Sequence, residues 1–417
     1  MTAAAIARWR WRVLREGLGL AFESMRKRDA AQAIMRARDA WRMIAPRLHA
    51  VQVAGDGRPQ ILVIDRTVPD PSRDSGSMRL VEIMRIMSAQ GYGITLFPDT
   101  VPAIRGRREI DGVDVNVESL SRLPQWLSTH RARLRLAWLS RFQTVHKHAC
   151  LIRHLAPDAR LVFDTVDLHF LREGRRLEAM QHPLADAMAS RIRGMELAAA
   201  RMADVTVLVS VKEKQTLQSL HAEGRYAVVS NIHRPMRGEP GSAEGRSGVV
   251  FVGGTQHLPN REALAWLSAG IMPAIRARCP GTTVHVVGDV LLGEQADFSA
   301  DGLQFHGRVP DLAPIYDACI AAIAPLRSGA GVKGKINSAM SHGLPVIATT
   351  LAIEGMGLVH GEDVLVADSA EGFSDAIWRL HHDHGLWHDL ASAGLLNVRM
   401  AYSPEVAREE ILALLDR

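Results

Sequence analysis

Lys333 and Lys335 stand in the run RSGAGVKGKINSAMSHG, residues 327 to 343, among Gly329, Gly331 and Gly334. The glycines let the backbone turn tightly and approach a ligand, and the amides that open a helix near Lys335 carry partial positive charge. With Arg327 the run offers three full positive charges, which is anion-binding chemistry. Val346-Ile347-Ala348 reads as a buried strand entered from a helix that ends at Gly343, so the loop is expected at a sheet edge, where open α/β proteins place ligands. An isolated KGK would read as a solvated basic turn, and the flanking glycines and strand weigh against that here.

Three further groups are candidates for chemistry. The segment DTVDLHFLRE places Asp164, Asp167, His169 and Arg172 just after the strand LVF, where Asp167 and His169 can orient a ligand hydroxyl. The same residues fit an ordinary surface or capping histidine. Asp74-Ser75-Gly76-Ser77 with Arg79 opens the first helix after ILVID, and reads equally as an N-cap or as a phosphate or acceptor contact. Gly253 and Gly254 end the strand VVFV, as a tight turn or as a close approach to phosphates. Glu354, in AIEG, is a candidate for a ligand contact or for capping a turn. His146 and His148 lack a third ligand nearby, so they are expected on a solvated helix face and no metal site is expected. Cys150, Cys279 and Cys319 lie far apart and form no metal or redox spacing.

The elements that must position these groups follow an α/β pattern. At 417 residues the chain exceeds one ordinary core, and strands alternating with helices imply parallel sheets in two doubly wound domains. Strands are expected at ILVID, ITLF, 136–139, 161–163, 205–209 and 226–229, then at VVFVGG, TVHVVG, LQFHG, CIAAIAPL, PVIATT and DVLVAD. Residues 233–248, HRPMRGEPGSAEGRSG, are the least apolar stretch and are expected to be a linker. The domains expected are 1–55 a basic amphipathic helical extension, 56–232 a first Rossmann-like domain, 249–395 a second, and 396–417 a helix crossing back to the first.

Residues 249–395 resemble the C-terminal half of family 4 glycosyltransferases, on the loop, its helix, PVIATT and the opening VVFVGGTQHLPNREALAWL. ILVIDRTVPDPSRDSGSMR and LVFDTVDLHFLRE look like elements of the N-terminal half. The resemblance implies a GT-B fold, two Rossmann-like domains facing a cleft, and metal-independent transfer from a nucleotide-diphosphate sugar with retention of configuration. It implies catalytic roles for His169, Asp167, Arg327 and Lys333. Donor contacts would come from Gly253, Gly254, Gly331, Lys335, Asn337, Ser338 and Glu354, and acceptor contacts from Asp74, Gly76, Ser77 and Arg79. No cofactor is implied. Where many members carry two glutamates separated by seven residues, this chain has Ala330 and Ser338, and a serine lacks the two acceptors of a carboxylate. Val166 stands where many have histidine before Asp167.

The function expected is a retaining glycosyltransferase of surface polysaccharide assembly, with a nucleotide sugar and a glycan or lipid-linked acceptor as partners. A catalytically reduced GT-B scaffold and a nucleotide-sugar epimerase are the alternatives. Residues 1–50 hold 11 Lys/Arg and 4 Asp/Glu, a net +7 against +5 for the whole chain, so the remainder is about −2 and no nucleic acid partner is expected. No run approaches the length needed to span a bilayer, and a cytoplasmic location is expected. The arginine-rich first helix, with Trp9 and Trp11, fits peripheral contact with an anionic membrane; it fits equally packing against the body or a junction to another domain.

Overall fold

The structure, a computed structural model, describes residues 2–26, 37, 57–100, 105–290, 292–298 and 300–416. The second helix expected between Ala33 and Leu48 lies outside the described residues, apart from Ala37.

The first lobe is an eight-stranded sheet: β1 (Gln60–Asp65), β2 (Gly93–Pro98), β3 (Gly106–Ile110), β4 (Val113–Val117), β5 (Leu134–Ser140), β6 (Arg160–Asp164), β7 (Val205–Leu208) and β8 (Tyr226–Val228), in the order β3-β4-β2-β1-β5-β6-β7-β8. Only β3 runs antiparallel, as a hairpin with β4. The central strands are continuous apolar runs because helices cover both faces. One face packs Ile61, Val63 and Trp138 against Leu80, Ile83 and Met84; the other packs Leu62, Ile64 and Phe163 against Val145, Ile152 and Ala199.

The second lobe holds six parallel strands: β9 (Val249–Val252), β10 (Val284–Val287), β11 (Leu303–Gly307), β12 (Ala321–Ala324), β13 (Val346–Ala348) and β14 (Leu365–Val366), in the order β11-β10-β9-β12-β13-β14. Its core centres on Phe251, Ile323, Ile347 and Phe373.

The helices that matter for the site are α1 (Thr2–Arg26), α2 (Ser75–Ala89), α3 (Phe142–Leu155), α4 (His169–Ala179), α5 (Ala185–Met202), α6 (Val211–Leu220), α7 (Gly334–Ser341) and α8 (Pro404–Leu415). Side chains cap several of them: Asp74 accepts the Ser77 amide, Ser210 that of Glu213, and Ser403 that of Val406. Gly343, at φ 67°, closes α7 in the left-handed conformation. Residues 233–248 carry no helix or strand. From the second lobe the chain returns through α8, whose Ala407, Ile411 and Leu414 join the core beneath α2.

Helix α1 lies against α3. Trp9 and Val13 are buried there, and the Trp9 indole donates to Nδ1 of His148 at 3.0 Å. His148 is therefore fully buried, with Asp99 on its other nitrogen at 3.2 Å, and not on a solvated face as its spacing suggested. His146 instead reaches the Met195 carbonyl of α5 at 2.8 Å.

Candidate active site

The lobes meet at the C-terminal ends of their strands. Strand β1 leads into α2, and β6 leads through residues 165–168 into α4. Opposite them, β9 ends at Gly253-Gly254 and β12 leads through residues 325–333 into α7. The first turns of α2 and α7 abut: a β-carbon on Gly334 would lie 2.4 Å from that of Ser75. Only glycine permits that approach. Beside it is a crevice of about 360 Å³ lined by both lobes, with Asp74 and Ser77 on one side and Gly253, Gly254 and His257 on the other. Arg308 spans it to Ser72.

Lys335 is enclosed where these loops converge. Its ammonium donates to Oδ1 of Asn260 at 2.5 Å and lies 4.8 Å from the centre of the Phe251 ring. A β-carbon on Gly253 would come within 2.9 Å of that nitrogen. Lys333 donates to the carbonyls of Ala330 at 2.9 Å and Gly331 at 2.6 Å. Among the described residues neither lysine has a carboxylate within ion-pair distance. Burial, with Lys333 alongside, pulls Lys335 down to about 7. Burial, with the Arg175 cation, pulls Lys333 down to about 8.

Facing this loop is an ionised cluster of the first lobe. The position of a β-carbon on Gly331 is 3.4 Å from that of Asp167 and 3.8 Å from Oε1 of Glu213. Asp167 holds Arg172 at 2.5 Å and Nδ1 of His169 at 3.0 Å. Burial is the largest influence and opposes both charges, yet their mutual pairing, with Arg172 beside Asp167 and Glu196 beside His169, together outweighs it, setting Asp167 at about 2 and His169 at about 9. Glu196 accepts the amides of His169 and Phe170 at 2.9 and 2.8 Å, fixing the start of α4. Glu213 is buried, and burial together with the Asp167 charge raises it to about 7. Among the described residues its Oε2 has no hydrogen-bond partner. Val166, between Asp164 and Asp167, sits at φ 65°, a conformation a β-branched residue adopts only under constraint.

A latch joins the lobes nearby. Arg175 of α4 makes a bidentate pair with Glu354 at 2.6 and 3.0 Å and donates to the Gly329 carbonyl at 2.9 Å. Asn231 adds a bond to the Val332 carbonyl at 3.1 Å.

Several expected residues are placed differently. Arg327, expected beside the lysines, is exposed and lies 5.3 Å over the Trp266 ring, held there by a cation–π contact. Arg79, expected at the acceptor, is 1% exposed and bonds Asp164 at 2.8 Å and the Val229 carbonyl at 2.9 Å. Trp138 donates to the same carboxylate at 3.2 Å, so Arg79 staples the sheet to α2. Asn337 is wholly buried, and the Ser338 hydroxyl is taken by that of buried Tyr316 at 3.1 Å; neither lines the crevice. Asp74 caps α2 through the Ser77 amide and hydroxyl at 2.7 and 2.9 Å, while still lining the crevice with Ser77. Gly76 faces Val166, 3.7 Å from the position its β-carbon would take. Glu354 is held by Arg175.

Arg175, Glu196 and Glu213 were not singled out in the sequence. Ser210-Val211-Lys212-Glu213 has the spacing of a capping box, a signal that points to the start of a helix and says nothing of the far lobe.

Two Rossmann-like lobes meeting at their strand ends define a two-lobed α/β architecture, and the comparisons agree. Residues 246–383 match the family described as Glycosyl transferases group 1. A 44.6 kDa protein of the cps region of Klebsiella pneumoniae is 27% identical over 138 residues, 31% of this chain. The chain spans only 36% of that relative's length in this match. Among solved structures, sucrose-phosphate synthase from Thermosynechococcus elongatus is similar with a TM-score of 0.64 at 15% identity, over 86% of this chain and 98% of that one. HepE of Anabaena, in complex with UDP and glucose, gives 0.61 at 16% identity, over 86% and 99%. The fold is GT-B. With the group 1 match in the second lobe, it supports a glycosyltransferase.

Proposed function

We propose that this chain is a retaining, family 4 glycosyltransferase that moves a sugar from a nucleotide-diphosphate donor to a glycan or lipid-linked acceptor, without a metal, in surface polysaccharide assembly. The observation that carries the proposal is a pair of half-buried ammonium groups that, among the described residues, lack carboxylate partners, at the start of a helix between two lobes. A diphosphate supplies the missing counter-charge. HepE is known in complex with UDP-glucose, and the cps-region relative supports the polysaccharide setting.

In the reaction, the bond between the sugar's anomeric carbon and the β-phosphate oxygen breaks, and its electron pair leaves with the phosphate. The acceptor oxygen bonds the same carbon from the same face, and its proton passes to the departing phosphate. Lys333, Lys335 and the first amides of α7 meet the growing charge, and preorganised donors of this kind act at the step where charge develops. Asp167 at about 2 and His169 at about 9 stay ionised near neutrality, so they serve as fixed charges that orient hydroxyls. Gly253 and Gly254 let the opposite loop approach the phosphates.

A second reading, a binding module with little turnover, draws support from Ser338, whose hydroxyl is occupied by Tyr316 where relatives carry a ribose-binding glutamate. One experiment separates the two. Lys333→Ala should reduce sugar transfer on the order of 100-fold or more with the fold intact. Wild-type turnover in that variant would remove the assignment, and donor binding without transfer to any acceptor by the wild-type protein would favour the binding module.

A further inference from the structure

The face of α1 turned away from the first lobe is unusual for a surface helix. Trp11 is 65% exposed, Phe22 62% and Leu18 47%, and positions 11, 18 and 22 share one side at helical spacing. Arg8 and Arg15 are exposed on the same side. The opposite side is anchored, with Trp9 and Val13 buried against α3 and Glu16 paired with Lys147 at 2.9 Å. The exposed stripe is therefore turned outward by the fold.

The surface continues beyond α1. Arg12 bonds the His146 carbonyl, and His146 bonds the Met195 carbonyl, so α1, α3 and α5 lie in sequence. Helix α5 exposes Met188 and Met195. Between α1 and α3 is a cavity of about 310 Å³ lined by Arg8, Arg12, Lys147 and His154.

We propose that this face docks the enzyme on an anionic lipid bilayer, with Trp11, Leu18 and Phe22 entering the interface and Arg8 and Arg15 pairing with lipid phosphates; the basic cavity receives a headgroup. Charge complementarity selects this occupant. Helix α1 carries Arg8, Arg10, Arg12, Arg15 and Arg26 against Glu16 and Glu23, and Glu16, on the anchored side, is already neutralised by Lys147. A second copy of the chain would set arginine against arginine. Large apolar side chains interleaved with arginines fit a surface that is apolar below and negative above. Among the described residues no helix is long and apolar enough to cross a membrane, so the contact is peripheral.

Co-sedimentation of the full chain with vesicles of phosphatidylcholine alone, or mixed with phosphatidylglycerol, tests this directly. Binding is expected to the mixed vesicles only, weakening with salt. Each arginine near an anionic surface is worth about fivefold in affinity, so Arg8→Gln with Arg15→Gln should weaken binding about 25-fold. Trp11→Ser with Phe22→Ser should weaken it further and leave the circular dichroism unchanged, because neither residue is buried. Equal binding to neutral vesicles, or wild-type binding by the arginine double variant, overturns the proposal. So does a concentration-dependent dimer in vesicle-free solution that Trp11→Ser abolishes, since a second copy would then cover the face.

Discussion

The sharpest consequence of burying Lys335 concerns protons. An ordinary lysine titrates near 10.4, whereas Lys335 is held at about 7 and Lys333 at about 8. Above neutrality the ligand-free protein therefore progressively loses the Lys335 proton and then the Lys333 proton, and an anion that pairs with both nitrogens must bring the lost protons back. If both lysines return to their ordinary range in the complex, binding at pH 8 takes up about 0.9 proton at Lys335 and about 0.5 at Lys333, and at pH 6 about 0.1 in all. Titration calorimetry in buffers of different ionisation enthalpy measures this number. UDP-glucose is a suitable probe, since its pyrophosphate has no proton of its own to exchange in this range. Lys335→Met should lose about two thirds of the uptake at pH 8 and bind the probe weakly. The stability of the ligand-free protein follows the same logic. With the folded value depressed, the cost of burying the charge is fully present below about 7 and is relieved as pH rises toward the unfolded value; it amounts to on the order of 5 kcal/mol. The methionine variant should accordingly show a raised Tm at pH 6. Uptake below about 0.3 proton at pH 8, or equal uptake in variant and wild type, would refute the picture of waiting cations.

Other consequences can be checked by simple means. Arg79→Met leaves Asp164 charged and buried, and urea unfolding should show a loss of about 3 to 5 kcal/mol; a loss below 1 would mean the pair is not the staple described. His169 is raised, so its contribution is fully present below about 6.5 and lost as pH rises through about 9; it is on the order of 3 kcal/mol, and His169→Gln should flatten the wild-type decline in Tm across that window. Val166→Asn should raise stability by roughly 1 kcal/mol, because asparagine accepts the left-handed backbone that valine resists. Arg175→Gln, which cuts the latch to Glu354 and Gly329, should enlarge the radius of gyration in solution scattering while leaving Tm nearly unchanged.

Much of the fold is legible in the sequence because its information is local. Runs such as QILVID and AAIA announce buried parallel strands, and the glycines from Gly329 to Gly334 announce a loop that must come close to something. The edge strand β3 escapes because GRREI is short and polar, with a single large apolar residue to mark a buried face. Long-range pairing defeats the side-chain assignments. Arg79 looks like a ligand for an anion until Asp164 is brought beside it, and Arg327 looks like one until Trp266 offers its ring. Arg175 and Glu213 sit on helices of ordinary composition, and only the opposing lobe gives them meaning. A position equivalent to a family glutamate tells equally little once serine fills it, since its hydroxyl turns to a buried tyrosine.

The chain passes between the lobes twice, once at residue 233 and once at residue 402, and the two passages are tied by the His233 amide donating to the Tyr402 carbonyl at 2.7 Å. The hydroxyl of Tyr402 is in turn fastened to the Met356 carbonyl of the second lobe at 3.2 Å. Bound side by side, the strands form a single pivot, so the jaws can swing about it but cannot drift apart. A protease nick in the connecting stretch after Arg237 would leave the halves still threaded together by α8, and the severed molecule should migrate intact on a sizing column.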